Sequence, residues 1–152
     1  MAGANTTFKK ASQEMQTEHQ ELMQKLSELD HALECLICYS EVFADLAGVQ
    51  QAHTTARWMA GWLPTHFLRE EQGILNGMSR LGPEFATFAR EMKRQHKEIA
   101  TRLEGFRKKA DGFTSATDLQ QSIEELKEEG KALASFVAAH MGAEERKYAT
   151  LK

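Results

Sequence analysis

The chain has 152 residues, of which 41% are hydrophobic, and 19 Lys and Arg against 22 Asp and Glu leave a formal net charge of −3. This length suits one domain, residues 1–152, around a single core, and with no basic stripe to neutralise phosphates the charge balance excludes nucleic acid as a partner. No apolar run approaches the ~20 residues that span a bilayer, residues 1–10 show no secretory apolar segment, and two cysteines are too few for a disulfide framework, so a cytoplasmic protein with no membrane partner is expected.

Pro64 and Pro83 are the only prolines, the remainder is rich in Ala, Leu, Glu, Lys, Gln and Met, and no alternating β-branched stretch occurs. The first helix is predicted over about residues 7–40, where His19, Leu22, Leu26, Leu29, Leu33, Leu36 and Ile37 recur at three-and-four spacing. The connection that follows is expected to be either a longer irregular segment over roughly 40–50, with Gly48 in it, or an overshoot of the first helix. The second helix, about 51–77, turns Trp58, Trp62, Leu63, His66, Glu70 and Ile74 inward, and Pro64, lacking an N–H, should kink it. Asn76-Gly77 and Gly82-Pro83 mark the following break. The third helix, about 83–110, opens on Pro83, carries Phe85, Met92, His96, Ile99, Leu103 and Phe106 on one stripe, and stops near Gly112. Thr117 and Gln120 have capping-box spacing for a fourth helix over about 117–150, with Ile123, Leu133, Val137, His140, Glu144 and Tyr148 inward. Four long amphipathic helices with short connections predict an all-α fold, an up-down-up-down antiparallel four-helix bundle.

Residues four apart share one face of a helix, so His66 with Glu70 forms a pair, and His140 with Glu144 repeats it. A lone histidine precedes each pair, His19 and then His96. His19 to His96 spans 77 residues, while His66 to His140 and Glu70 to Glu144 each span 74. These spacings predict a helical hairpin used twice, with pseudo-twofold symmetry. In such a bundle, residues at one level mirror each other about the turn between their helices. The midpoint of His66 and His96 falls at 81, beside Gly82-Pro83, and that of His96 and His140 at 118, beside Thr117. The midpoint of His19 and His66 falls at 42 to 43, short of Gly48.

Four imidazoles and two carboxylates on buried faces at one level are costly without a compensating partner. One tetrahedral zinc would use only ~4 of these donors. Two ions bridged by Glu70 and Glu144, each taking two imidazoles, use all six. Imidazole with carboxylate suits iron and leaves an open position on each ion. The Glu-x-x-His motif of ferritin-like sites is absent. The predicted metal ligands are therefore His19, His66, Glu70, His96, His140 and Glu144, around two iron ions.

In this order, His19; His66 with Glu70 and Glu71; His96; His140 with Glu144 and Glu145, the chain resembles the hemerythrin-like family of HHE cation-binding domains over nearly its whole length. The resemblance implies a four-helix bundle holding an oxo- or hydroxo-bridged di-iron centre. Oxygen-carrying members have a fifth histidine four residues past the lone histidine of the third helix, and an aspartate in the last motif. Here those positions are Ala100 and Glu144, a departure that leaves both ions open rather than one and speaks against reversible oxygen transport. The four-His, two-Glu set is more similar to the branch associated with repair of iron centres after nitrosative stress. That branch carries a cysteine-bearing N-terminal segment, and no cysteine precedes Cys35 here.

Cys35 and Cys38 form a Cys-x-x-Cys within a helix, away from the phase of His19, and are expected to be buried, inert thiols. His31 and His53 lie off the ligand register and are expected at the surface or as caps. Trp62 and Phe136 each sit one turn before a His-Glu pair, and Met92 one turn before His96. As core residues they should wall the site, and an apolar wall favours small neutral ligands. Tyr148, one turn past Glu144, is placed to donate a hydrogen bond or to pack. Glu71 and Glu145 point about 100° away from the bridging glutamates and either solvate the surface or orient a neighbouring histidine.

The expected function is binding of dioxygen, nitric oxide or a peroxide at the iron pair, for sensing, storage or response to oxidative and nitrosative stress. The alternatives are an enzyme acting on peroxide or nitric oxide, an iron donor for repair of iron–sulfur centres, and a metal-free helical interaction module. An electron donor or iron acceptor would be the partner, with the chain a monomer or homodimer.

Overall fold

A computed structural model describes residues 2–36, 42–112 and 119–151. Helix α1 is Ala2–Cys35 and α2 is Val42–Glu70, which continues through a π-helical turn, Glu71–Leu75, and three further α-helical residues, Asn76–Met78. Helix α3 is Pro83–Gly112 and α4 is Leu119–Tyr148. Each helix packs on its neighbours in sequence, and α1 closes the ring against α4. This is the up-down-up-down four-helix bundle, all-α, with no strand among the described residues. No described helix is long and apolar enough to cross a membrane.

The irregular connection expected over 40–50 is overturned, because α2 is helical from Val42. Gly48 read as a breaker but serves as a close-approach point. A Cβ built there would meet Leu36 Cδ2 at 2.9 Å and the Ala32 carbonyl oxygen at 3.3 Å. The glycine lets α1 and α2 approach more tightly than any side chain would. The join therefore lies between Cys35 and Val42, just ahead of the midpoint of His19 and His66 at 42 to 43. Ile37 and Cys38 lie outside the described residues, as does the Thr117 cap. Helix α1 also begins at Ala2, earlier than the amphipathic stripe indicates.

At the second break the signal was split between two sites. Asn76 and Gly77 stay helical, and the chain turns at Ser79–Gly82 instead, with Gly82 at φ 150°, a conformation side chains resist. Pro83 then opens α3. Helix α2 runs on through Pro64.

Two apolar clusters divide the interior. The larger one gathers Leu22, Leu29, Leu33, Met59, Leu63, Ile99, Leu103, Phe106, Leu133 and Val137 from all four helices. The smaller one joins Met15, Ile74, Leu75, Met78, Ala89, Met92 and Tyr148. In every helix the predicted ligand residues fall between the two. A polar layer thus interrupts an otherwise apolar core, and that layer needs a physical explanation.

Candidate metal centre

All six predicted ligand residues come together in this layer, and none is more than 3% exposed. They form two groups that share a member: His19, His66 and Glu70, and then Glu70, His96, His140 and Glu144. Within each group one donor atom per residue lies within 4.8 Å of the others. The helical pairs supply His66 Nε2 at 3.3 Å from Glu70 Oε2 and His140 Nε2 against Glu144 Oε1. The lone histidines close the ring across helices. His19 Nε2 lies 3.2 Å from Glu70 Oε1 and 3.6 Å from Glu144 Oε2. His96 Nε2 lies 3.3 Å from Glu70 Oε2 and 3.4 Å from Glu144 Oε1.

Every Nε2 faces inward, and three of the four Nδ1 atoms are committed outward. His66 Nδ1 donates to Glu18 Oε2 at 3.0 Å, and Glu18 also pairs with Arg69. His96 Nδ1 donates to Glu71 Oε1 at 2.9 Å. His140 Nδ1 donates to Gln95 Oε1 at 2.8 Å. His19 Nδ1 lies 3.5 Å from Glu145 Oε1, close but out of hydrogen-bond geometry. Carboxylate and amide oxygens accept, so these three outward nitrogens hold protons, and the inward nitrogen of such a ring presents a lone pair whenever the ring is neutral. This arrangement is the usual support of metal-binding imidazoles.

Lone pairs facing carboxylates repel unless a cation lies between them. His19 Nε2, His140 Nε2 and Glu70 Oε2 are buried without a hydrogen-bond partner. Protons relieve part of the conflict. Burial opposes charge on His96, yet Glu144 and Glu70 beside it outweigh burial and push its pKa up to about 9. His19 shifts upward in the same way, against burial, through Glu70, Glu144 and Glu145. Burial alone would raise the Glu70 carboxyl, but its contacts with Glu144 and three histidines hold it well below the usual range.

Tyr148 reaches into the layer, its hydroxyl 3.1 Å from Glu70 Oε1 and 3.0 Å from Glu144 Oε2. Burial, then the charges of Glu144 and Glu70, keep the phenol's pKa well above its usual value, so it holds its proton and donates. Trp62 stacks on His66 with ring centroids 4.7 Å apart at 16°, and Trp58 stacks on Trp62 in turn at 5.2 Å. Met92 is buried in the smaller apolar cluster. Phe136 is half-buried on the flank of the larger cluster, beneath the Arg102 guanidinium at 4.4 Å.

Other readings need revision. Cys35 is half-buried rather than buried, with Sγ 3.9 Å from Nε2 of the exposed His31. His53 is half-buried and ties α2 to the end of α3 through Asp111, 2.5 Å away. Three contributors carried no sequence signal of their own: Glu18, Gln95 and Phe67. Phe67 stacks on His96 with centroids 3.9 Å apart at 10° and meets His140 edge-on at 6.1 Å. Glu18 and Gln95 each immediately precede a lone histidine, a symmetry the repeat already contained.

The model of the hemerythrin HHE cation-binding domain matches residues 10–151, and the chain belongs to that family. Comparison with curated proteins and with solved structures gives no match. Family and buried histidine–glutamate layer agree: this is a metal-binding domain.

Proposed function

We propose that His19 and His66 hold one iron ion and His96 and His140 a second, with Glu70 and Glu144 bridging them, and that the pair binds a small ligand such as dioxygen, nitric oxide or peroxide. One observation carries this reading. Four imidazole Nε2 atoms converge on two buried carboxylates whose ion pairs, among the described residues, are all to those histidines. Six donors in two groups sharing Glu70 suit two cations better than one. An iron pair would supply redox chemistry and open coordination positions, while the surrounding protein sets access and proton supply.

Trp62, Phe67 and Met92 make the surroundings apolar, which favours neutral diatomic ligands over solvated anions. Tyr148 holds its proton firmly, so it suits stabilising a bound ligand by a hydrogen bond more than delivering a proton. That favours binding, for sensing, storage or stress response, over turnover of peroxide or nitric oxide. The test is anaerobic reconstitution with ferrous iron, followed by metal counting and absorption spectra before and after oxygen. Two irons per chain and an oxygen-dependent spectrum are expected. A single tightly held zinc with no response to oxygen would sink the proposal. Steady-state peroxide consumption, abolished in Glu70→Ala and Glu144→Ala with the fold intact, would shift the reading to an enzyme.

A further inference from the structure

Both tryptophans of the chain lie in one stack, and the stack ends on a residue of the polar layer. Trp58, Trp62, His66 and Glu70 stand on successive turns of α2, four residues apart, and so share one face. The rings of Trp58 and Trp62 lie 19° from parallel with centroids 5.2 Å apart, and those of Trp62 and His66 16° and 4.7 Å. Both separations are those of stacked aromatic pairs in contact. His66 and Glu70 are buried, whereas both indoles are half-buried, so the stack joins the polar layer to the protein surface. Packing alone does not call for indoles here. In the repeated hairpin, 74 residues on, Ala132 and Phe136 take the places of Trp58 and Trp62, and Phe136 lies beneath the Arg102 guanidinium.

We propose that Trp58 and Trp62 form an electron relay from the protein surface to an ion held by His66, fed by a one-electron reductant in solution. The proposal rests on the metal reading above. Indole is among the most readily oxidised side chains, and electron transfer falls steeply with distance, so rings in contact pass an electron where one long step could not. Trp62 gives an electron through the His66 ring to an oxidised ion and is left as a radical cation. Trp58 refills Trp62, and a reductant of the ascorbate class refills Trp58. The reductant loses one electron and sheds its proton to water, the ion gains one electron, and no covalent bond in the protein is made or broken.

The surroundings suit this path. His66 Nδ1 donates to Glu18 Oε2 at 3.0 Å, which holds the ring with Nε2 toward Glu70 and one face on Trp62. The Lys25 ammonium, 5.3 Å from the Trp58 ring, makes a lasting positive charge there costly, and Glu28, 3.2 Å from that ammonium, offsets this in part. The positive charge therefore rests on Trp62 until a donor reaches Trp58. Phe67, stacked on His96, has no comparably oxidisable ring. Tyr148 is buried and offers no connection to a donor in solution.

The test uses the full-length chain loaded with ferrous iron and oxidised by one equivalent of peroxide. Rapid-freeze electron paramagnetic resonance should show an indole radical in the wild type. Anaerobic stopped-flow then follows the reduction of the ferric absorption by ascorbate. Trp62→Phe keeps an aromatic ring in the stack but removes the oxidisable indole. It should slow reduction several-fold while iron content and melting temperature stay at wild-type values, a combination that a packing role would not produce. Trp58→Phe should slow reduction likewise, and Trp62→Tyr, which restores an oxidisable ring, should recover part of the rate. No indole radical in the wild type, or equal reduction rates in the wild type and Trp62→Phe, overturns the proposal and leaves the metal reading standing. No uptake of iron by the wild type would overturn both.

Discussion

His96 carries a proton near neutral pH in the metal-free protein, and the consequences can be measured. Its pKa rises from an ordinary 6.5 to about 9 on folding, and that of His19 also rises. A group whose pKa is raised on folding stabilises the native state fully below its unfolded value and loses that contribution as pH climbs through the folded one. Glu70 has the opposite sign, its contribution being present above an ordinary 4.5 and lost as the pH falls below it. The metal-free protein should therefore be most stable between about 4.5 and 6.5 and lose stability steadily toward pH 9, as denaturant titrations would read. A cation would replace those protons, so metal uptake should release protons at neutral pH and strengthen as pH rises. Tyr148→Phe removes the hydroxyl donor shared by Glu70 and Glu144. It should cost the metal-free protein about 1–3 kcal/mol in chemical denaturation while leaving two metal ions per chain.

The helices divide the work along their length. Each carries an apolar stripe on either side of one polar level, and the two apolar clusters lie at opposite ends of that level. Leu33 is fully buried in the larger cluster, four turns of α1 beyond His19. Leu33→Ala should cost about 2–5 kcal/mol in unfolding free energy, with saturating metal content still two per chain. A loss of metal stoichiometry in that variant would show that packing and site are coupled more tightly than their separation along the helices implies. Helix α2 is the one element whose winding changes at the site. It passes into a π-helical turn immediately after Glu70, whereas the matching stretch of α4 after Glu144 stays α-helical. Such turns are frequent at functional sites. Here it begins at Glu71, the acceptor for His96.

For the molecule as a whole, the polar layer makes stability a function of metal. Binding to the native state alone stabilises it by mass action, about 2.7 kcal/mol at a free metal concentration 100 times Kd. Chelation of reconstituted protein should lower the melting temperature by several degrees, and re-addition of metal should restore it. Calorimetry checks both, and an unchanged melting temperature would favour a metal-free helical module instead.

The helical periods and the doubled His and His-x-x-x-Glu spacing are local properties of the chain. By themselves they specified the bundle, its hairpin repeat and the residues that meet at one level. A residue on a helix face needs only its own helix to aim it inward, so those six were legible without any neighbour. The first connection was misjudged because a glycine in sequence does not say whether it breaks a helix or lets two helices touch. Gly48 does the second, and only the presence of α1 decides it. The same limit hid Glu18, Gln95 and Phe67, since their hydrogen bonds and stacking depend on the distance and rotation between helices. Tertiary structure alone decided that Glu71 holds His96, that an amide rather than a carboxylate holds His140, and that the Tyr148 hydroxyl spans both carboxylates.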